Sequence, residues 1–483
     1  MSLVAAPLRN VAQRVRHLDA SWWVVIAFVL LYVVTVSRVL IDVHRGLGTS
    51  SYDIGLYDQG TWLLSRFEAP FVTLMGRNLL GDHASIVMFF VVPFYWVIPG
   101  SETLLVLQTV AIGAGALPLF AYARRALESD LLAVGIAACW LLNPAVNGTA
   151  YENFHPDGFI GLFLPLALYA ALTDRWRLYL VAFVLCLTVK EDVALVMVPL
   201  GIFVALRKNK RLGIISALAA VAATILGMFV LMRSLIGVPT RNTWRIPFGG
   251  PTGFIKEVFT NPLNVWRHLT SEDRPEYLWK MVAPFAGIFL LVPELALIST
   301  LVLLANIVST FWYQYHIEYH YSLIAVPGLL FGTVYAIARV KPEFRKILVA
   351  AVVACTAITS YFWSPLPFAQ KPLAHWPASH PVAVAARDII SVVPDDASIA
   401  VFHSLAPHLA HRKEVYQFPT PFRTVLYGVD LSLENTRLPQ SDTVEYVVLP
   451  INRDEQMSLD WNQEVPNFNL IAVNEYWEVF QRK

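Results

Sequence analysis

The sequence is poor in charge. Only 15% of its 483 residues are Asp, Glu, Lys or Arg, against 56% hydrophobic ones, a balance foreign to water-soluble domains and expected of an integral membrane protein. Acidic and basic residues nearly cancel, at 35 and 36. No basic face for nucleic acid follows from that balance, and the informative quantity is where the charges lie. Cysteine is scarce too: Cys139, Cys186 and Cys355 fall in apolar runs, without a CxxC pair or metal-ligand spacing, and read as small hydrophobes, not as a disulfide framework. A Gly-rich phosphate loop, a nucleotide fingerprint, an internal repeat and low-complexity tracts are all missing.

What is present is a series of long apolar runs. Arg9, Arg14 and Arg16 precede the run 21–41, which is long enough to span about 30 Å of hydrocarbon. No small-residue cleavage site follows, so it reads as a first crossing with a cytoplasmic N-terminus and not as a signal peptide. Runs at 103–122, 131–146, 158–172, 178–189, 193–206, 212–231, 277–292, 295–308, 321–338 and 347–362 bring the total to about eleven crossings. Arg124/Arg125, Arg175/Arg177, Arg207/Lys208/Lys210/Arg211 and Arg339/Lys341/Arg345/Lys346 occupy every second connection, as the positive-inside rule requires of a plasma-membrane protein. The junction at Pro293 and Glu294 has no basic residue and fits this scheme least. Counting 84–98 as a crossing would break the alternation, so it is expected to lie in the outer interface, anchored by Tyr95 and Trp96.

One long helix over 178–206 would bury Lys190, Glu191 and Asp192 at its centre and put Arg177 and Arg207 on opposite sides. Two short helices folded back on each other avoid both problems. The first climbs only about 18 Å, so the Lys-Glu-Asp tip should stop below the outer surface. The hairpin 131–172 has the same design, with Tyr151, Glu152, His155 and Asp157 at its tip. Two sunken polar tips facing one way imply a water-filled hollow open to the outside. After residue 362 the pattern changes: "VAVAARDII" reads as helix, and "ASIAVF", "VEYVVLP" and "NLIAVNEYWEVFQ" read as strands. The expected architecture is therefore an all-α polytopic membrane domain, 1–362, with its first outer loop at 42–102, followed by a small α/β extracytoplasmic domain, 363–483.

This topology places eleven of the twelve histidines outside, only His17 being cytoplasmic. In "SSYDIGLYDQ", Asp53 suits a helix N-cap and Asp58 a first-turn position; either could instead accept a proton at the mouth of a polar cavity. Asp82 and His83 ("GDHAS") open the interfacial helix as a cap or as site residues. "YENFHPD" is either a tight loop or part of the hollow, and Lys190 either forms an internal ion pair or meets a ligand. His316 and His320 are four apart, which permits a metal on a helix, with Glu318 off that face; without a third local ligand, hydrogen bonding to a polar substrate is preferred. The loop 237–276 carries Arg241, Trp244, Arg245, Lys256, Trp266 and Arg267, suited to phosphate or to lipid headgroups.

The order of these features resembles the GT-C class of membrane glycosyltransferases. More closely, "YDIGLYDQ", "GDHAS", "NFHPD", "VKEDVAL" and "HRKEVYQFP" resemble a family of bacterial predicted membrane proteins assigned to that class. The resemblance implies transfer of a sugar from a polyprenyl-phosphate carrier to a glycan, lipid or protein acceptor at the outer face of a bacterial plasma membrane. It also implies an aspartate general base in the first outer loop, matching Asp53 or Asp58. Some members carry an adjacent Asp-Glu pair, whereas these two are five apart, so the choice between them stays open. Tyr52, Tyr57, Gln59, Asp82, His83, Glu152, His155, Asp157, Glu191, Asp192, His316, Glu318 and His320 would then bind substrate, and Lys190 or Arg245 would meet the leaving phosphate. No metal ligands are assigned, although a Mg or Mn ion would be compatible. The rival readings are a transporter or flippase for lipid-linked sugars, with the Lys-Glu-Asp tip as an ion site, and a scaffold whose outer domain binds a partner. The lack of a repeat between halves and the one-sided acids speak against transport.

Overall fold

Asp19 accepts a hydrogen bond from the Trp22 N–H and starts the helix Ala20–Arg45. Val25, Val36 and Leu40 face inward while Trp23, Leu30 and Leu31 stay exposed, so the helix is apolar on all sides, as one covered by lipid must be. The structure, a computed structural model, describes residues 19–483. The N-terminal stretch with Arg9, Arg14, Arg16 and His17 lies outside the described residues. Among those described, four further helices are long and apolar enough to cross a membrane: Ser101–Leu127, Lys210–Ile236, His320–Ile337 and Pro342–Trp363. Asp130–Leu142 and Pro144–Glu152 make a sixth crossing if taken together across their 42° bend. Pro144 cannot extend the first of these helices, and Asn143 turns its side chain to the Ala145 and Val146 N–H groups to start the second.

The remaining apolar runs form shorter helices. Trp176–Leu187 and Ala194–Arg207 flank the Lys-Glu-Asp tip. Lys208 bonds to the Leu172 carbonyl at 3.0 Å and lies 3.3 Å from Asp174, so the chain returns to the end from which Trp176–Leu187 set out. Two short helices, and not one long one, are what the chain adopts. The next turn is tight: a Cβ at Gly213 would collide with the Ala205 backbone, so only glycine lets Lys210–Ile225 pack this closely on Ala194–Arg207.

Two expectations need correction. The run 277–292 does not cross as one helix. Arg274–Val282 gives way to single turns at Ala283–Phe285 and Ile288–Leu291, with Ala286 and Gly287 at φ 53° and 65°, because Pro284 and Pro293 deny the helix its donors. The second concerns the interfacial segment. Met88–Tyr95 has eight residues, about 12 Å, too short to cross. Phe89, Phe90, Phe94 and Trp96 are exposed as an interfacial helix requires, but Tyr95, expected beside Trp96 as an anchor, is buried.

Beyond the last long helix lies a five-stranded sheet in the order Val415–Gln417, Ile399–Val401, Tyr446–Pro450, Trp477–Arg482, Phe468–Val473. The first three strands are parallel and the last two pair antiparallel. Pro381–Ile390 is helical where "VAVAARDII" predicts it. Val415–Gln417, an edge strand inside a charged stretch, was not expected. Its open edge is covered by the loop between Ala20–Arg45 and Ser101–Leu127: the Thr73 hydroxyl accepts the Val415 N–H at 3.0 Å and donates to the Val415 carbonyl at 2.7 Å.

The same loop carries a second anchor. Asp58, wholly buried, receives the Tyr95 and Ser101 hydroxyls at 2.7 Å each and lies 2.9 Å from His411 Nε2 of the C-terminal domain. Gln59 donates to the Arg412 and Lys413 carbonyls and to Thr73. Asp58→Asn is therefore expected to lower the unfolding midpoint in detergent by the equivalent of about 1–3 kcal/mol and to expose the chain near His411 to protease. A variant as stable and as resistant as the wild type would remove Asp58 from this role. Burial opposes its ionisation, but His411, Tyr95 and Ser101 outweigh burial and hold its pKa below the usual aspartate range. A depressed folded pKa contributes stability that is complete above about pH 4 and lost as pH falls through the lower folded value. Docking measured by proteolysis should thus be unchanged at about pH 5 and weaken only in stronger acid.

Candidate functional site

Between the first helix and Leu56–Ser65 the chain turns abruptly at Asp53, with φ 66° and ψ −101°. That conformation costs a residue with a side chain about 1–3 kcal/mol and persists only where the surroundings impose it. Leu56–Ser65 starts without a side-chain cap, so Asp53 is not used as the N-cap its position suggests. Its side chain stays 40% exposed, with an oxygen 3.9 Å from His155 Nε2.

Three elements meet behind Asp53. Pro144–Glu152 ends in Glu152, the following loop carries His155, and His320 opens the turn leading into Val326–Ile337. Glu152 receives the His320 N–H and lies 3.0 Å from His320 Nδ1 and 3.5 Å from His155 Nε2. The two imidazoles stack with centroids 3.7 Å apart. Gln108, a lone amide in an apolar span, fixes this loop by accepting the His155 N–H at 2.6 Å and donating to the Asn153 carbonyl at 2.7 Å. A Cβ at Gly158 would strike Gln108, so glycine is required where the loop crosses it. Although burial opposes a charge on His155, the Glu152 and Asp53 carboxylates raise its pKa to about 9. Among the described residues, the buried His155 Nε2 has no well-aligned hydrogen-bond partner, the nearest carboxylate oxygen being that of Glu152 at 3.5 Å. Glu152, His155 and His320 each offer one ligand atom, all within 4.8 Å of one another; one carboxylate and two imidazoles suit a transition ion such as zinc better than magnesium. A cation held there would displace the proton that His155 otherwise carries.

The second tip adjoins the first. Lys190, 6% exposed, reaches Asp157 at 3.6 Å and Asp192 at 4.0 Å, and these carboxylates keep it an ammonium against the effect of burial. Glu191 binds His83 Nδ1 at 2.8 Å and the Ala84 N–H at 3.0 Å, tying the interfacial segment to the tip. Arg245 bonds to the Tyr321 hydroxyl at 3.2 Å, and Lys190 lies 5.7 Å from the same ring. The buried Arg245 Nε has no hydrogen-bond partner among the described residues. Beside Lys190 and Glu191 an apolar cavity of about 320 Å³ is walled by Ile86, Val184, Leu187, Leu226 and Leu231. It passes the irregular turn Leu226–Met232, a wide-helix feature common at functional sites.

Of the residues singled out in the sequence, Asp53, His83, Glu152, His155, Asp157, Lys190, Glu191, Asp192, Arg245 and His320 lie in two adjoining clusters linked by these contacts. Tyr57 packs edge-on against His155 and Phe154. Others are placed elsewhere. Asp58 and Gln59 hold the C-terminal domain, Tyr52 donates to the Leu426 carbonyl, and Asp82 pairs with Arg77 at 2.7 Å. His316 does not join His320 in a helical pair, because residues 312–325 form short turns; it lies 3.3 Å from Asp273 and against Trp312. Glu318 lies 4.0 Å from Lys280. Gln108 and Tyr321 were not singled out, and His411 entered only as the first residue of "HRKEVYQFP", without a role. Gln108 could have been singled out, as a polar residue alone in an apolar run.

The chain is similar to ArnT from Cupriavidus metallidurans bound to undecaprenyl phosphate, with TM-score 0.56 and 12% identity over 96% of this chain and 98% of that one. Against ArnT in the apo state the values are 0.54 and 11%, over 95% and 98%. At such identity the likeness establishes a shared fold: the GT-C-like helical architecture with its small C-terminal sheet domain. Among curated protein sequences none matches. The family model described as a predicted membrane protein (DUF2079) matches residues 43–479, across both the helical part and the sheet domain, and the chain belongs to that family.

Proposed function

We propose that the chain is a glycosyltransferase that moves a sugar from a polyprenyl-phosphate donor to an acceptor at the outer face of a bacterial plasma membrane, with Asp53 as general base. The observation that carries this reading is the state of Asp53. Its carboxylate is part-exposed, unused as a cap and held in strained backbone beside the unbonded His155 Nε2. Asp58, the other candidate, is 1% exposed, and its oxygens are already engaged by Tyr95, Ser101 and His411.

In the proposed reaction the acceptor hydroxyl loses its proton to Asp53 as its oxygen bonds to the anomeric carbon. The bond from that carbon to the phosphate oxygen breaks, and the electron pair leaves with the polyprenyl phosphate. Proton removal supplies the nucleophile; Lys190 and Arg245 meet the charge that grows on the phosphate. The apolar cavity ending at Lys190 and Glu191 suits the first isoprene units of the donor. The bound undecaprenyl phosphate of ArnT supports a carrier of this class. His155, His83 and His320 line the space for sugar hydroxyls, and an ion at Glu152, His155 and His320 would orient them.

Asp53→Asn should reduce transfer of labelled sugar in proteoliposomes by about 10²–10⁴-fold while donor binding and the unfolding midpoint stay at wild-type values. Full activity in that variant would refute the base assignment, and solute movement across sealed vesicles without transfer would refute the enzyme reading. Lys190→Gln should lower kcat by about 10²–10³-fold and weaken donor binding as well. Unchanged kcat, measured at saturating donor, would exclude Lys190 from the leaving-group side.

A further inference from the structure

At the opposite end of the bundle, Ala194–Arg207 runs about 20 Å from the Lys-Glu-Asp tip to Arg207. There the junction at Glu294, which has no basic neighbour in sequence, meets Arg207 in space and receives the Tyr335 hydroxyl. Arg207, Lys208, Arg339, Tyr122, Tyr335 and Glu294 surround a polar chamber of about 610 Å³. Lys208 is drawn toward Asp174 and the Leu172 carbonyl. Arg339 lies over the Tyr335 ring and bonds to the Tyr335 carbonyl at 3.0 Å; among the described residues no carboxylate pairs with it. The chamber thus holds three cations to one carboxylate in its lining.

A second cavity, of about 490 Å³, shares Phe203, Arg207 and Glu294 with the chamber and is otherwise walled by Pro199, Ile202, Leu206, Leu297 and Ile298. Ile202, Leu206 and Leu297 are 50%, 77% and 55% exposed, on the lipid-facing surface. The backbone that supplies Val292 and Glu294 to these spaces is irregular: residues 292–294 follow the single 3-10 turn Ile288–Leu291 and belong to no helix. Irregular backbone at membrane depth persists where it lines a polar or wet space.

We infer that this end of the molecule binds one anionic glycerophospholipid, its phosphate between Arg207 and Arg339 and an acyl chain along the Ile202–Leu206–Leu297 groove. A salt bridge between Arg207 and Glu294 alone accounts for neither the unpaired Arg339 nor the apolar groove continuous with the polar chamber. Basic pockets between helices that open onto lipid recognise such headgroups by charge and hold them by the attached chain. The site is separate from the catalytic hollow and independent of the reaction proposed for it.

Native mass spectrometry of the purified full-length chain in zwitterionic detergent tests this, with phosphatidylglycerol, phosphatidylcholine and inorganic phosphate as separate probes. Phosphatidylglycerol should be retained at least about tenfold better than phosphatidylcholine, and R339Q, which breaks no ion pair, should reduce that preference about fivefold. E294Q, by removing the competing carboxylate, should raise it, a result that a merely structural ion pair would not produce. Equal retention of the two lipids, or a preference unchanged in both variants, overturns the inference. So does inorganic phosphate at millimolar concentration displacing phosphatidylglycerol completely, which would make this a site for the free anion. The unfolding midpoint of each variant with phosphatidylcholine should match the wild type.

Discussion

The pairing of Asp157 with Lys190 joins two hairpin tips that neither hairpin could stabilise alone. Lys190 on one tip and Asp157 on the other are both buried from solvent. A lone buried ammonium or carboxylate costs several kcal/mol, so the tips are acceptable only when they meet. Once Lys190 lies 3.6 Å from Asp157, the rest of the arrangement follows. Glu191 is left to bind His83 and the Ala84 N–H, which brings the interfacial helix over the hollow. On the other side, Glu152 is left to the two histidines. Ion pairing at this depth adds little net stability but determines which elements can be neighbours.

Much of this was legible because depth can be read from length. Runs too short to span, interrupted by charged or histidine-rich tips, leave few places for those charges to go, and the residues of "YENFHPD" and "KED" do converge. The irregular stretch after Val282 was less legible. Its hydropathy is that of a span, while its breakers, Pro284, Gly287 and Pro293, act locally. A helix interior would have lost the donors that proline lacks, and this argues for weighing backbone donors ahead of hydropathy in such a run. The edge strand Val415–Gln417 was invisible for a different reason. Three residues have too little periodicity to register, and the strand depends on Thr73, 342 positions away in sequence.

The two aspartates of "YDIGLYD" illustrate what local pattern cannot decide. By spacing, both sit at the start of a helix, Asp53 as a candidate cap and Asp58 in the first turn, and either could instead serve as a base. The difference between them is made by His411, 353 positions from Asp58, and by the backbone turn at Asp53, neither of which leaves a local trace. His316 and His320 show the converse. Their four-residue spacing is informative only on a helix, and here the chain turns at Ile317 and Glu318 between them, which sends the two rings to different partners.

The position of Asp53 depends in turn on the C-terminal domain. On its N-terminal side, the Ser51 N–H bonds to the His403 carbonyl at 2.9 Å, the Ser51 hydroxyl bonds to Gln417, and the Tyr52 hydroxyl bonds to the Leu426 carbonyl at 2.7 Å. On its C-terminal side, Asp58 and Gln59 are fastened to His411, Arg412 and Lys413. Asp53 therefore lies on a short bridge clamped at both ends by one domain, and the clamps supply what a strained residue needs: surroundings that over-determine its conformation. Were the sheet domain to detach, residues 51–59 would be free to relax, φ at Asp53 would return to an ordinary value, and its carboxylate would swing away from His155. The sheet domain thus sets the geometry of the proposed base, which gives it a part in the proposed chemistry through position.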